Sequence, residues 1–305
     1  MRTSMTTSLA TLALATAACT ASAQNVAFKP TLTKGATLKY ELSSNLKVEQ
    51  TNAGQTDLQE TKHTASFTCT VESVDSDGSA EVSMMFDSLS FSIVAGEDAD
   101  TFAWKFTGGD RPNAAMGEGL NASGFALAGA EISFDVSASG EISGMGGLDE
   151  FLATVASESA SDVAFVGAFT PARLAEAIEP IFDADGGAAE ERARGAKWSE
   201  NETVDLGAIG NVVMTRDYVY LANENNMATV LGSLTVKLNK PATQPENSPT
   251  ARLNGVTGAV AVQWNSELNM LEQYARTEQL GTVWEMGDVT LNQMQHSVMK
   301  IVRLD

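Results

Sequence analysis

Two cysteines and two histidines are all that the 305 residues offer of the side chains that most often hold transition metals. Zinc sites recruit several such ligands at motif spacing, and HExxH, CxxC and HxH are all absent. His63 and His296 both fall in strand-like segments, and no GxSxG or comparable turn supplies the serine of a Ser/His/Asp arrangement. Without GxGxxG or a P-loop, nucleotide binding has no cradle either. The sequence therefore nominates no catalytic, cofactor-binding or metal residue and implies no cofactor. Carboxylate-only hydrolysis stays open as a lesser reading, because pairing among the 39 acids is decided in three dimensions.

Positive charge is also scarce: 19 Lys and Arg stand against 39 Asp and Glu, for a net charge of −20. Such a balance repels nucleic acid and anionic membrane surfaces. The acids are scattered, so they read as a solvated surface rather than an acidic tail. No apolar run approaches the roughly 20 residues that a helical span requires. Aromatics make up only 7% of the chain, and the C-terminus VRLD is charged, which disfavours the aromatic girdles of an outer-membrane barrel.

What is present begins with MRTSMTTSLATLALATAACTASA. Arg2, an apolar run over Leu9–Ala18 and the Ala21-Ser22-Ala23 cleavage signal read as a signal peptide over residues 1–23, with Gln24 opening the mature chain. That implies export to the periplasm, the cell surface or the medium. A competing reading makes Cys19 a lipid-bearing residue; Thr16 stands where such signals want Leu, so the plain secretory reading is preferred. Cys69 then remains alone, and no intramolecular disulfide is available. Alternation places Phe67, Cys69 and Val71 on one face, which suits a small buried hydrophobe better than a reactive thiol.

Most of the remaining chain alternates with period two between Gly, Asn, Asp and Ser turns, the pattern of antiparallel strands. In SVDSDGSAEVS, Asp75 and Asp77 precede Gly78, but the oxygens and glycine do not fall at EF-hand spacing, so a hairpin turn is expected there. A second turn is expected at Ser137–Gly140. LDEFLATVASESA and FTPARLAEAIEPIF carry helical spacing; Thr170 is placed to cap the second, and Pro180 to kink or end it. The Gly/Ala-rich stretch before Ala130 has weak periodicity, and Lys240–Gly255 reads as an exposed Pro-rich loop. The expectation is a single α+β domain over residues 24–305, a large curved antiparallel sheet with a helical insertion packed on one face. Its parts are a first strand group at 24–147, a helical segment at 148–195 and a second strand group at 196–305.

GATLKY (35–40), VESVDSDGSAEVSMMF (71–86), FDVSASGEISGM (134–145) and GAKW (195–198) together resemble a family of exported, β-rich bacterial proteins of unknown function. The resemblance implies an exported β-rich domain and brings no catalytic residues. The chain departs from it at Lys197, where the family has an acid. The functional expectation is a non-enzymatic binding protein for an apolar small molecule, with Met84, Met85, Met214, Met286, Met294 and Met299 as candidates for a plastic lining. The alternative is a structural or interaction domain that docks an envelope protein.

Overall fold

The computed structural model describes residues 25–96, 98–154, 160–184, 191–205, 210–240, 250–287 and 289–305. The signal peptide at 1–23 and the Cys19 alternative lie outside the described residues.

Twelve strands follow from the period-two pattern: β1 (Thr37–Asn52), β2 (Gln55–Val74), β3 (Ala80–Ala95), β4 (Asp98–Lys105), β5 (Ile132–Val136), β6 (Ile142–Gly146), β7 (Lys197–Asp205), β8 (Asn211–Glu224), β9 (Met227–Asn239), β10 (Thr250–Asn265), β11 (Met270–Met286) and β12 (Val289–Arg303). Four helices accompany them: α1 (Leu120–Gly129), α2 (Asp149–Ala153), α3 (Ala160–Ala168) and α4 (Pro171–Phe182). The strands form one sheet in the order β6-β5-β3-β2-β1-β12-β11-β10-β9-β8-β7, with β4 alongside β3. Two meanders therefore join where β1 pairs antiparallel with β12, from Tyr40 opposite Arg303 to Asn52 opposite Leu291.

Turn chemistry sets the hairpins. Asn225 and Asn226, with φ of 52° and 64°, fill the two-residue connection of β8 to β9, where a type I′ turn needs both central residues in the left-handed region. At the Asp75–Ser79 bend, Gly78 has φ +90° and donates its N–H to the Asp75 carbonyl at 3.0 Å, while the Asp77 carboxylate accepts from the Ser79 amide at 3.0 Å. The acids at this bend build a hairpin turn.

The protein is mainly β, with 61% of residues in strands and 16% in helices, and this overturns the α+β expectation. The helices run from 5 to 12 residues. They are too short to make a layer of their own against so wide a sheet, and they fill one end of one face. Two local expectations also change. Residues 120–129 form α1, whose Ser123, Gly124, Ala126, Leu127 and Ala128 are all buried, so no polar face marks a helical period. Of the expected loop at Lys240–Gly255, residues 250–255 belong to β10, and residues 241–249 lie outside the described residues.

Helix α4 explains how the sheet is shaped. Thr170 caps it by accepting from the Arg173 N–H, and Leu174, Ile178, Ile181 and Phe182 form its buried stripe. Phe182 meets Phe134 of β5 edge-on at 5.7 Å, on one side of the sheet order. Glu176 reaches Arg276 of β11 at 3.4 Å, and Glu179 shares a cleft with Glu200 and Glu202 of β7, on the other. One helix packs against β5 from one side of the sheet order and against β11 from the other, so the sheet curls around it. The core within that curl is aromatic: Phe165 of α3 lies 4.8 Å from Phe91, 5.8 Å from Phe151 and 5.2 Å from Phe169.

Candidate functional site

From the helices outward the inward face of the sheet passes through three zones, the middle one charged only on β7, β8 and β11. Nearest the helices it is fully buried, as in Tyr40 and Leu42 on β1, Tyr220 on β8, Val262 on β10 and Ile301 on β12. Next comes a charged belt at the foot of α4. Beyond the belt the same face is apolar again but only half-buried.

Arg216 of β8 and Arg276 of β11 organise the belt. Arg216 is 6% exposed and donates from Nη1 to Glu202 at 3.3 Å and from Nη2 to Glu278 at 3.4 Å. Burial opposes the charge on Arg216, but Glu278, Glu200 and Glu202 outweigh it and hold the guanidinium above its ordinary pKa. Arg276 donates to Glu176 of α4 at 3.4 Å and lies 3.7 Å from Glu278. Arg216, Arg276, Glu176, Glu200 and Glu202 border a cleft of about 330 Å³ that also includes Glu179, Asp183 and the rings of Tyr218 and Tyr274. The Tyr218 hydroxyl donates to Glu200 at 3.1 Å. Glu179 is raised above the usual carboxylate range, first by burial and then by the charges of Glu200 and Glu176.

In the outer zone, strand pairing aligns Met214 of β8 with Val236 of β9, Val256 of β10 with Leu280 of β11, and Trp284 of β11 with Leu291 of β12. Leu46 and Val48 of β1 continue the row opposite Ser297 and Gln295. Each of these apolar side chains is half-buried. The opposite face is mixed: exposed Thr235, Lys237, Thr257, Thr277 and Asn292 share it with exposed Leu231 and Val298.

Sequence reasoning nominated no site residue, and it missed this belt. A usable signal was present, because Arg216 is in phase with Tyr218 and Tyr220, and Glu278 with Tyr274 and Leu280. A charge at an inward position of a strand is the anomaly that burial rules single out. Of the methionines considered as lining, Met84 is in the core at 0% exposure, Met299 is buried, and Met85 is exposed. Met294 accepts from Gln279 on the opposite face, Met214 lies on the open apolar face, and the Met286 side chain is outside the described residues. His63 sits against Phe169 at 4.9 Å, and Cys69 is fully buried. Among the described residues no group of His, Cys, Asp and Glu is arranged to hold a metal ion.

No family model and no curated protein matches the chain. Among solved structures it is similar to lipovitellin, in a study of lipid–protein interactions, at 12% identity and a TM-score of 0.44. That match covers 91% of this chain and 25% of the other, so the chain spans a quarter of lipovitellin's length. It is also similar to OccK5 (OpdH) of Pseudomonas aeruginosa, at 6% identity and a TM-score of 0.27, over 88% of this chain and 98% of that one. A BenF-like porin from Pseudomonas fluorescens Pf-5 follows, at 6% identity and 0.22, over 88% and 99%. These values establish no common fold.

Proposed function

We propose that the chain is an exported, non-enzymatic binding protein whose open sheet face holds the hydrocarbon part of an apolar ligand. The observation that carries this reading is the half-buried row from Met214 across to Val48, on the face that α4 and the aromatic core cover only at one end. Each methylene that such a face removes from water contributes about 0.8 kcal/mol, so a chain of modest length suffices for binding. The row lies inside the curl, where a narrow chain fits better than the surface of a globular partner; this favours a small ligand over envelope docking. Hydrolysis is less well supported, because Glu176, Glu202 and Glu278 are each paired with an arginine. Export rests on the Ala21-Ser22-Ala23 signal and on the resemblance to exported β-rich proteins.

Native mass spectrometry of mature protein purified from its own host without detergent tests the reading, together with titration of a dodecyl-chain probe. Extra mass lost on denaturation, or saturable binding of the probe, supports a carrier. A bare mass combined with no probe binding overturns it.

A further inference from the structure

We propose that residues 25–36, the arm that leads into β1, form a strap that orders two events: the bond after Ala23 is cut while the arm is free, and the docked arm closes that bond to cutting. The inference rests on the reading of residues 1–23 as an export signal and adds what the fold does to its removal.

The arm begins with strand-like alternation: Val26 and Phe28 are buried, Ala27 and Lys29 half-buried. Val26 exchanges both backbone hydrogen bonds with Arg192, just ahead of β7, its N–H donating at 2.9 Å and its carbonyl accepting at 2.8 Å. The Phe28 carbonyl accepts from the Ala184 N–H at 3.0 Å, beyond the end of α4. The Phe28 ring, 1% exposed, enters a box made by Tyr220 of β8 at 5.3 Å and by Trp198 of β7 and Trp264 of β10, each at 6.2 Å. Farther along, the Lys29 ammonium donates to the Ala138 carbonyl in the β5–β6 turn, and the Thr31 hydroxyl accepts from the Asn269 amide at 2.8 Å. The β5–β6 hairpin and β7 stand at opposite ends of the sheet order. The arm therefore ties together the two ends that α4 also spans.

Gln24 and Asn25 alone separate the bond after Ala23 from Val26, and two extended residues span about 7 Å. A protease must enclose an extended stretch on both sides of the bond it cuts. Val26, the third residue after that bond, has both backbone groups engaged and its side chain 4% exposed. The stretch therefore enters a protease cleft only when the arm undocks, and the rate of cutting follows the undocked population. Phe28 governs that population, because a large aromatic side chain in a ring-lined box dominates the energetics of so short a segment. Thr31, Thr33, Lys34 and Gly35 are exposed, and Gly35 at φ +81° turns the chain into β1, so the arm can swing away while the strands stay paired.

The test gives a signal peptidase two substrates in the same mild detergent, the folded full chain and a peptide of residues 9–33, and follows cutting by intact mass. The peptide should be cut after Ala23, and the folded chain at least about tenfold more slowly, the ratio that a modest preference for the docked arm produces. Phe28→Ala, checked for folding by its thermal transition, should bring the full chain close to the peptide's rate and leave the rate of the peptide itself unchanged. If Phe28→Ala does not fold, Lys29→Ala combined with Thr31→Ala loosens the arm from outside the core and takes its place. A folded native chain cut as fast as the peptide overturns the strap and leaves the export signal standing. Slow cutting that neither variant relieves overturns the assignment to the arm. A peptide that is not cut after Ala23 overturns the export reading and this inference with it.

Discussion

Arg216 on β8 and Glu278 on β11 meet at 3.4 Å although β9 and β10 lie between their strands. The row beneath the pair runs from Arg216 through Leu234 to Gly258 and Glu278. The Leu234 side chain fills the place that a Cβ at Gly258 would take, and the curl of the sheet shortens the span. The contact therefore reports the shape of the sheet as well as the charge of two residues.

Removing one partner exposes the other to burial without compensation. Glu278→Gln is expected to lower stability by roughly 1–3 kcal/mol, because Arg216 keeps Glu202 but loses a charged acceptor. Arg216→Met combined with Glu278→Leu should cost clearly less than the two single changes added together. Urea unfolding of the four proteins checks this, and strict additivity would deny the coupling.

Two glycine substitutions should act with opposite signs. A Cβ at Gly258 would fall 2.6 Å from the Leu234 Cβ and 3.2 Å from the Thr277 carbonyl oxygen, so Gly258→Val is expected to destabilise by about 1–3 kcal/mol. At Gly167, on the exposed side of α3, a Cβ meets nothing within 4 Å, and Gly167→Ala is expected to stabilise by about 0.5–1 kcal/mol through helix propensity. Thermal transitions of the two variants test the contrast; a neutral Gly258→Val would mean that the row beneath the ion pair is not tight.

His63 makes stability depend on pH. Burial against Phe169 lowers its pKa from 6.5 to about 4, so the unfolded chain takes up the proton first as pH falls. Its contribution is fully present above pH 6.5 and is lost as pH falls toward about 4, to a total of at most about 3 kcal/mol. In His63→Leu the loss across this window should be smaller than in the native protein. Identical pH profiles for the two would remove His63 as the cause.

How far these features could be read beforehand depends on the range over which each is determined. The Asp75–Ser79 turn and the capped stripe of α4 are set by neighbours in sequence, and Asp77, Gly78, Thr170 and Leu174 act as their local chemistry predicts. Helix α1 escapes such reading because burial on several sides erases its period. The balance of strand and helix was misjudged because helical spacing shows where a helix forms, and says nothing of whether several helices stack into a layer. The cleft is less legible still: Glu176, Glu200, Arg216 and Glu278 come from four elements and meet only once the sheet has curled. Alternation identifies the inward face of β9, but Leu234, Val236 and Leu238 look the same in sequence whether helices cover them or leave them open.

Trp284 offers a direct report on the open face. It is half-buried in the outer zone, paired across to Leu291, and its indole N–H donates to Thr282 at 3.0 Å, whereas Trp264 is fully buried in the core. A chain laid over this zone removes water from the Trp284 ring, so its emission should shift to shorter wavelength as an apolar probe is added, and Trp284→Phe should abolish the shift. Leu280→Asp places a charge in the middle of the same row without disturbing the fully buried core. It is expected to weaken probe binding by about tenfold or more, since a buried charge must be desolvated, while changing the thermal transition little. A probe that binds unchanged to Leu280→Asp and leaves Trp284 emission unmoved would sit elsewhere on the protein, and the open face would lose its role.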